Sequence, residues 1–376
     1  LDQFISRKSF PGTSGNPFDT FLHRSAAFEK THSLLFLGIL ILLASIPALW
    51  DWRRAAAALI FMLADWLLFG SLPRFRKSFG PAKPSVLILA IARAILMALP
   101  LWPALALNLI GSALVFWGVW IEPHTAKLTR QFLTSDKLPA GFRLRLLHLG
   151  DLHIERLSRR EVQLNRMIKE LAPDLILFSG DFLNLSFLRD DHALADLHTV
   201  LDQWSAPLGV YAVTGSPAVD LPEIVPALVD GSPLRLLQNE GIDINRSSAN
   251  IRLIGIPCSH RPHIDAPILE GLVHHSPDQF TILLYHTPDL APDASKFGVD
   301  LQLSGHTHGG QIRIPGLGAL VTGSLLGKRF EAGRYLVGKM ALYVTRGLGM
   351  EGLGAPRARL FCPPEAILWE ITSSQP

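Results

Sequence analysis

Residues 303–315 read LSGHTHGGQIRIP, an apolar strand end running into two histidines, His306 and His308, set two apart among glycines. On an extended backbone alternate side chains share a face, which alone gives the two imidazoles no common target. A chain that is leaving its strand at this point behaves differently. Glycines permit the sharp, close-approach backbone that lets both rings turn inward at the edge of a sheet.

Working outward, other strands also finish in residues able to hold a metal. RLRLLHLG runs into Asp151 and His153, DLILFSG into Asp181, and FTILLYH ends in His286. The tips of neighbouring strands converge at one sheet edge, so ligands far apart in sequence can share one site. Each piece alone is weak, since an Asp after Gly at a strand end is commonly a turn former or a helix cap. The ordered set, Asp-x-His, Gly-Asp, His and Gly-His-x-His, predicts a metal site. Its mixed nitrogen and oxygen donors suit Mn, Fe or Zn rather than Ca or Mg. These are too many ligands for one tetrahedral ion. Two divalent ions about 3.5 to 4 Å apart, bridged by one carboxylate, would use them all and form a clamp for in-line attack at phosphorus.

Further strands are expected at GVYAVTG, IRLIGI, ALYVTRG and AILWEI, with helical periodicity over 159–171 and 194–203. Strands alternating with helices make this an α/β domain.

With these motifs in place, the sequence resembles the calcineurin-like metallophosphoesterase superfamily, in particular its bacterial membrane-attached branch with the extended GHTHGGQ signature. The resemblance runs from about residue 142 to the C-terminus and includes HTPDLAPDASKFGVDLQLSGHTHGGQIRIP, RGLG and PRARLFCPPEAILWEI. It implies a four-layer α/β/β/α sandwich with two mixed sheets and a dinuclear centre. Carried over position by position, it would put Asp151, His153 and His308 on the first ion, Asp181 as the bridge, and His286 and His306 on the second. Asp181 and His306 would then serve catalysis as well as coordination.

One motif departs. Where the family has Gly-Asn-His-Asp, this chain has Gly215, Ser216, Pro217 and Ala218. In the family the Asn ligates the second metal and the His assists at the scissile phosphate. Ser216 is a poorer ligand, and Pro217 does no acid–base work. Ser216 or a water would complete the coordination, with Asp220, His260 or His263 assisting; the alternatives are an enzyme restricted to good leaving groups, or a catalytically impaired metal- and phosphate-binding sensor or scaffold. Arg346 is a candidate for holding a substrate phosphate and reads equally as structural. His260 and His263 are candidates for substrate contact as well, with solvated loop residues as their leading reading. His274 and His275 read as surface side chains.

The front of the chain is different in kind. The 376 residues are 48% hydrophobic and only 18% charged, with mean hydropathy +0.28, against about 25% charged in a typical globular protein. Four apolar runs between residues 32 and 121 each approach the ~20 residues needed to cross a bilayer as a helix. A mostly polar stretch precedes the first, so a spanning helix is expected rather than a cleaved leader. Arg74, Arg76, Lys77 and Lys83 lie between the second and third runs, while the turn at Leu101 and Trp102 has no basic residue. The basic side should face the cytoplasm, with Arg53 and Arg54 a minor violation. The expected organisation is a cytoplasmic segment (1–31), four transmembrane helices (32–121), a linker (122–140) and the metallophosphoesterase domain (141–376), a multi-pass cell-membrane protein with its catalytic domain on the cytoplasmic side. Asp65 and Arg93 interrupt two runs at similar depth and should pair. Cys258 and Cys362 give no disulfide framework.

The expected activity is membrane-anchored hydrolysis of phosphoester or pyrophosphate bonds by two divalent metal ions, manganese among the candidates. The family precedent is cleavage of UDP-diacylglucosamine, a lipid-linked substrate. With no basic tract beyond the membrane flanks, nucleic acid is not an expected partner.

Overall fold

The computed structural model describes residues 17–46, 51–246, 249–273, 276 and 278–374. His274 and His275 lie outside the described residues, as do residues 1–16 of the N-terminal segment. Five helices come first: α1 (Pro17–Ala27), α2 (Ser33–Ser45), α3 (Trp52–Ser71), α4 (Lys83–Leu96) and α5 (Leu101–Phe116). The remainder alternates strand and helix. It opens with β1 (Lys127–Ser135), β2 (Arg143–Leu149), α6 (Arg159–Leu171), β3 (Leu175–Phe178), α7 (Asp191–Leu201), β4 (Val210–Ala212), α8 (Val225–Val229) and β5 (Leu234–Leu236). The second half comprises β6 (Glu240–Arg246), β7 (Ala249–Ile256), α9 (Pro262–Leu272), β8 (Phe280–Tyr285), α10 (Ala291–Lys296) and β9 (Leu301–Ser304). A short ribbon of β10 (Arg313–Ile314) and β11 (Gly318–Ala319) then leads to β12 (Gly333–Val337), β13 (Met340–Val344) and β14 (Glu365–Ser373).

Two six-stranded sheets form, in the orders β1-β14-β2-β3-β4-β5 and β12-β13-β9-β8-β7-β6. Both are mixed: β14 runs antiparallel to β2 in the first, and β6–β7 and β12–β13 are antiparallel in the second. The period of two along each strand sends alternate side chains to different layers. In β8, Phe280, Ile282 and Leu284 enter the core between the sheets while Leu283 and Tyr285 meet the outer helices. In β2, Leu144 and Leu146 face inward, and Leu147 and Leu149 pack under α6 and α7 against Leu164, Ile168, Leu197 and Leu201. Burial on both faces explains why these strands read as nearly unbroken apolar runs. Residues of α9 and α10, Leu269, Ala291 and Ala294, cover the other sheet. The result is the four-layer arrangement that the resemblance implies. Helix α6 starts at a capping box, with Ser158 on the backbone and Glu161 reaching back to the Ser158 amide at 2.8 Å, and stops before Pro173.

The stretch 122–140, expected to be a linker, holds β1, which pairs in parallel with β14 along its whole length. Its KLTRQFLTS sequence is one-sided because β1 is a half-exposed edge strand.

Two helices among the described residues are long and apolar enough to cross a membrane, Trp52–Phe75 and Leu101–His124, rather than four. A third span is reached only if Thr20–Lys30 and Ser33–Ser45, bent by 107°, count as one. The third apolar run becomes the 14-residue α4, started by Pro84 and ended before Pro100. At ~1.5 Å per residue it covers roughly 21 Å, short of a ~30 Å hydrocarbon core. Asp65 and Arg93 do pair, by two hydrogen bonds of 2.5 and 2.7 Å, and Asn108 and Ser112 of α5 also accept from Arg93.

The helices are docked on the sandwich by buried polar contacts. Glu155 holds Arg357 at 2.6 Å and accepts from the Phe79 amide at 2.8 Å, while Glu122 accepts from the Cys362 and Phe361 amides.

Candidate metal centre

The six predicted ligands come together at the strand ends of the two sheets. Asp151 and His153 follow β2, Asp181 follows β3, His286 follows β8, and His306 and His308 follow β9. Five of them turn out of their strands through the left-handed region, with φ of 50° at Asp151, 42° at His153, 62° at Asp181, 71° at His306 and 50° at His308. Non-glycine residues bear this strain only where the surroundings over-determine it, and such residues cluster at functional sites. The glycines matter by their missing side chains. A Cβ on Gly215 would sit 2.1 Å from Asp181 Oδ1, and one on Gly305 2.6 Å from Asp151 Oδ2.

The ligand atoms fall into two groups that share one residue. Asp151, His153, Asp181 and His308 form the first, and Asp181, His286 and His306 the second. Asp181 Oδ2 is 3.4 Å from His153 Nε2 and 3.3 Å from His286 Nε2. His153 Nε2 and His308 Nε2 face each other at 3.0 Å. Two ring nitrogens are set by backbone carbonyls: His286 Nδ1 lies 2.8 Å from Ser179 O, and His306 Nε2 lies 2.9 Å from Gly323 O. Donation to those carbonyls leaves His286 Nε2 and His306 Nδ1 with lone pairs aimed into the site, the orientation expected of metal-ligating imidazoles whose other nitrogen is held by a carbonyl. The donor set fits divalent cations on a further count, since Asp151 Oδ2 is buried with no hydrogen-bond partner among the described residues.

Electrostatics agree. Burial opposes charge on His286, but the Asp181 carboxylate raises it to about 9, and Asp181 itself is held well below the usual carboxylate range against its own burial by His286 and His153. Burial raises Asp151 to about 6. Burial, and then the charge on His286, lowers His306 to about 3. A buried site that holds protons among its own carboxylates and imidazoles is one where a cation can take their place.

Ser216 stands at the second group. Its Oγ is 3.2 Å from both His286 Nε2 and His306 Nδ1, and its amide donates to Asp181 Oδ1 at 2.7 Å. Asp220 has a different role: its carboxylate accepts from the amides of Asp181, Phe182 and Gly215, fixing the turn that presents the bridge. His260 is buried against the second group, its ring centroid 4.7 Å from that of His306. His263 lies exposed on α9. Arg346 is committed to Glu365 at 2.5 Å, a carboxylate that also accepts from Thr129 and Tyr343. Sequence reasoning missed Arg359. It is fully buried and reaches His308 Nδ1 at 3.5 Å while donating to the carbonyls of Gly349, Cys362 and Arg346. Both cysteines are free and buried.

No family model matches the chain. Curated proteins do. The metallophosphoesterase YkoQ of Bacillus subtilis is 30% identical over 244 residues, covering 63% of this chain and 87% of YkoQ. The metallophosphoesterase YkuE of the same organism is 29% identical over 269 residues, 68% of this chain and 88% of YkuE. The UDP-2,3-diacylglucosamine pyrophosphatase LpxG of Chlamydia muridarum is 26% identical over 329 residues, 70% of this chain and 95% of LpxG. The chain belongs to the metallophosphoesterase family, and it is a metal-dependent phosphoric ester hydrolase.

Proposed function

We propose that this enzyme is a dinuclear phosphoesterase held at the bilayer by its N-terminal helices, acting from the cytoplasmic face on phosphoester or pyrophosphate bonds of lipid-linked substrates. The observation that carries the proposal is the sharing of Asp181 between two ligand groups. Asp151, His153 and His308 would hold one ion, His286 and His306 with the Ser216 hydroxyl would hold the other, and Asp181 would be shared between them. When bound, two divalent ions, Mn, Fe or Zn, would supply an activated water and neutralise charge on the phosphoryl oxygens. The chain's own part is orientation: Ser179 O and Gly323 O fix the two imidazoles, the Ser216 amide donates to the Asp181 carboxylate, and Asp220 fixes the turn that presents it. LpxG supports the choice of a substrate such as UDP-diacylglucosamine, and the basic segment around Arg74 and Lys77 supports the cytoplasmic side.

The test is hydrolysis of an aryl phosphodiester by the full chain with Mn²⁺, beside Asp181→Ala. Activity that vanishes with Asp181 supports the proposal. A second reading rests on Ser216-Pro217 in place of Asn-His. Silence in the parent with activity in Ser216→Asn/Pro217→His would make the protein a metal- and phosphate-binding sensor.

A further inference from the structure

A cavity of 680 Å³ opens beside the metal centre, and its walls come from two unlike parts of the chain. At one end are His306, Thr307 and His308. At the other are Leu22 and Phe28, from and just after α1, and Leu87, Ile88 and Ile91 of α4. Pro84, Leu87, Ile88 and Ile91 recur at i, i+3, i+4 and i+7, a single stripe down the helix. The other side of α4, with Val86, Ala90 and Ala94, is buried in the helical core, and Arg93 is fixed to Asp65. Along the stripe Pro84 is buried and Leu87 packs partly against that core, while Ile88 and Ile91 are left uncovered. Ile88 is 54% and Ile91 46% exposed in spite of their apolar character. From Pro84 to Ile91 the wall runs about 10 Å.

We propose that this cavity is an acyl-chain subsite: it takes the hydrocarbon tail of an amphiphile whose phosphate lies at His306 and His308. The inference rests on the phosphoesterase reading of the metal centre. Three observations select a lipid tail as occupant. The wall is apolar along the stripe. It is continuous with the ligand histidines, so one molecule can reach both ends. One wall also belongs to α4, which packs against the two helices of membrane-crossing length, so a tail can enter from the hydrocarbon without passing through water. The size is that of a ligand site rather than a packing void.

The test uses the metal-loaded full chain in phosphatidylcholine nanodiscs, with a diacylglycerol phosphate carrying a diazirine at one chain terminus and the same diazirine lipid lacking the phosphate. After irradiation, adducts mapped by mass spectrometry are expected on the α1 and α4 cavity residues. They should fall at least fivefold in Ile91→Trp, and also in Ile88→Trp, a half-exposed position that tolerates the larger ring if the first variant fails to fold. The probe without phosphate should label the cavity at least fivefold less. Adducts confined to outward residues such as Trp102, or cavity labelling indifferent to both tryptophans or to the phosphate, would overturn the subsite. Aryl phosphodiester hydrolysis by the same preparation separates the two claims. Hydrolysis without cavity labelling removes the subsite alone, and cavity labelling without hydrolysis upholds the subsite while removing the hydrolase reading.

Discussion

Ser216 Oγ lies 3.2 Å from His286 Nε2, at the position where the family motif carries an asparagine. The same hydroxyl is equally close to His306 Nδ1, so the substitution has changed the donor without emptying the place. Ser216→Ala keeps the amide that bonds Asp181 and removes only the hydroxyl. It should weaken the second ion by roughly 10- to 100-fold and leave the first untouched, while Ser216→Asn should bind the second ion at least as tightly as the parent. Calorimetric titration of Mn²⁺ into the metal-free protein reads both steps. Unchanged affinity in Ser216→Ala would show that the hydroxyl is a bystander.

Asp181 belongs to both ligand groups, and His308 to one. Asp181→Asn should therefore depress the metal content of both positions, whereas His308→Gln should spare the ion at His286 and His306. Hydrolysis by Asp181→Asn should drop at least ~100-fold, as loss of the metals' charge stabilisation requires. Elemental analysis of the purified variants checks the stoichiometry. Equal metal loss in the two variants would contradict a bridge.

The strands that could be read from sequence are those buried on both faces, such as β3, β8 and β13, whose residues are all buried. The edge strands β1, β6 and β12 are partly exposed and carry polar residues, so their apolar signal is weaker. The ligands were legible because Asp and His at the end of an apolar run are chemically conspicuous. His260 was not, because nothing in CSHRPHID distinguishes a ring turned into the site from one in solvent. Arg357 and Arg359 were missed for the opposite reason. Cations in PRARLF suggest a wet surface, and only the fold shows that Glu155 and a set of carbonyls bury them. Membrane-run lengths were overcounted because hydropathy does not register where Pro84 and Pro100 bound a helix.

His148 gives the fold a pH dependence of known sign. It is fully buried on β2, with Ser179 Oγ 3.3 Å away, and burial lowers its imidazole from an ordinary 6.5 to about 3. Above pH 6.5 both folded and unfolded chains hold it neutral. Between 6.5 and about 3 the unfolded chain binds a proton that the folded chain refuses, so stability falls as pH falls, by about 1.4 kcal/mol per pH unit for this group. The slope vanishes below about 3. Urea unfolding of the metal-loaded protein from pH 4 to 7 should show a shallower decline in His148→Asn than in the parent, by close to one proton. Parallel slopes would mean that His148 is protonated in the fold.

The Asp65–Arg93 pair is buried within the helices, with each side chain 4% exposed. Removing one partner strands the other, and Asn108 and Ser112 cannot neutralise a guanidinium. Asp65→Leu should cost about 3 to 5 kcal/mol, as breaking a buried pair does, whereas Asp65→Leu/Arg93→Met replaces two desolvated charges with apolar packing and should cost far less. The comparison is a double-mutant cycle on the thermal midpoint of the detergent-purified chain, in which the double variant should lose less than either single variant, so that the coupling energy exceeds the cost of either single substitution. Because both substitutions leave the sandwich untouched, the Mn²⁺ content of any folded fraction should equal the parent's. Additive losses would mean that Arg93 is held by Asn108 and Ser112 rather than by the carboxylate.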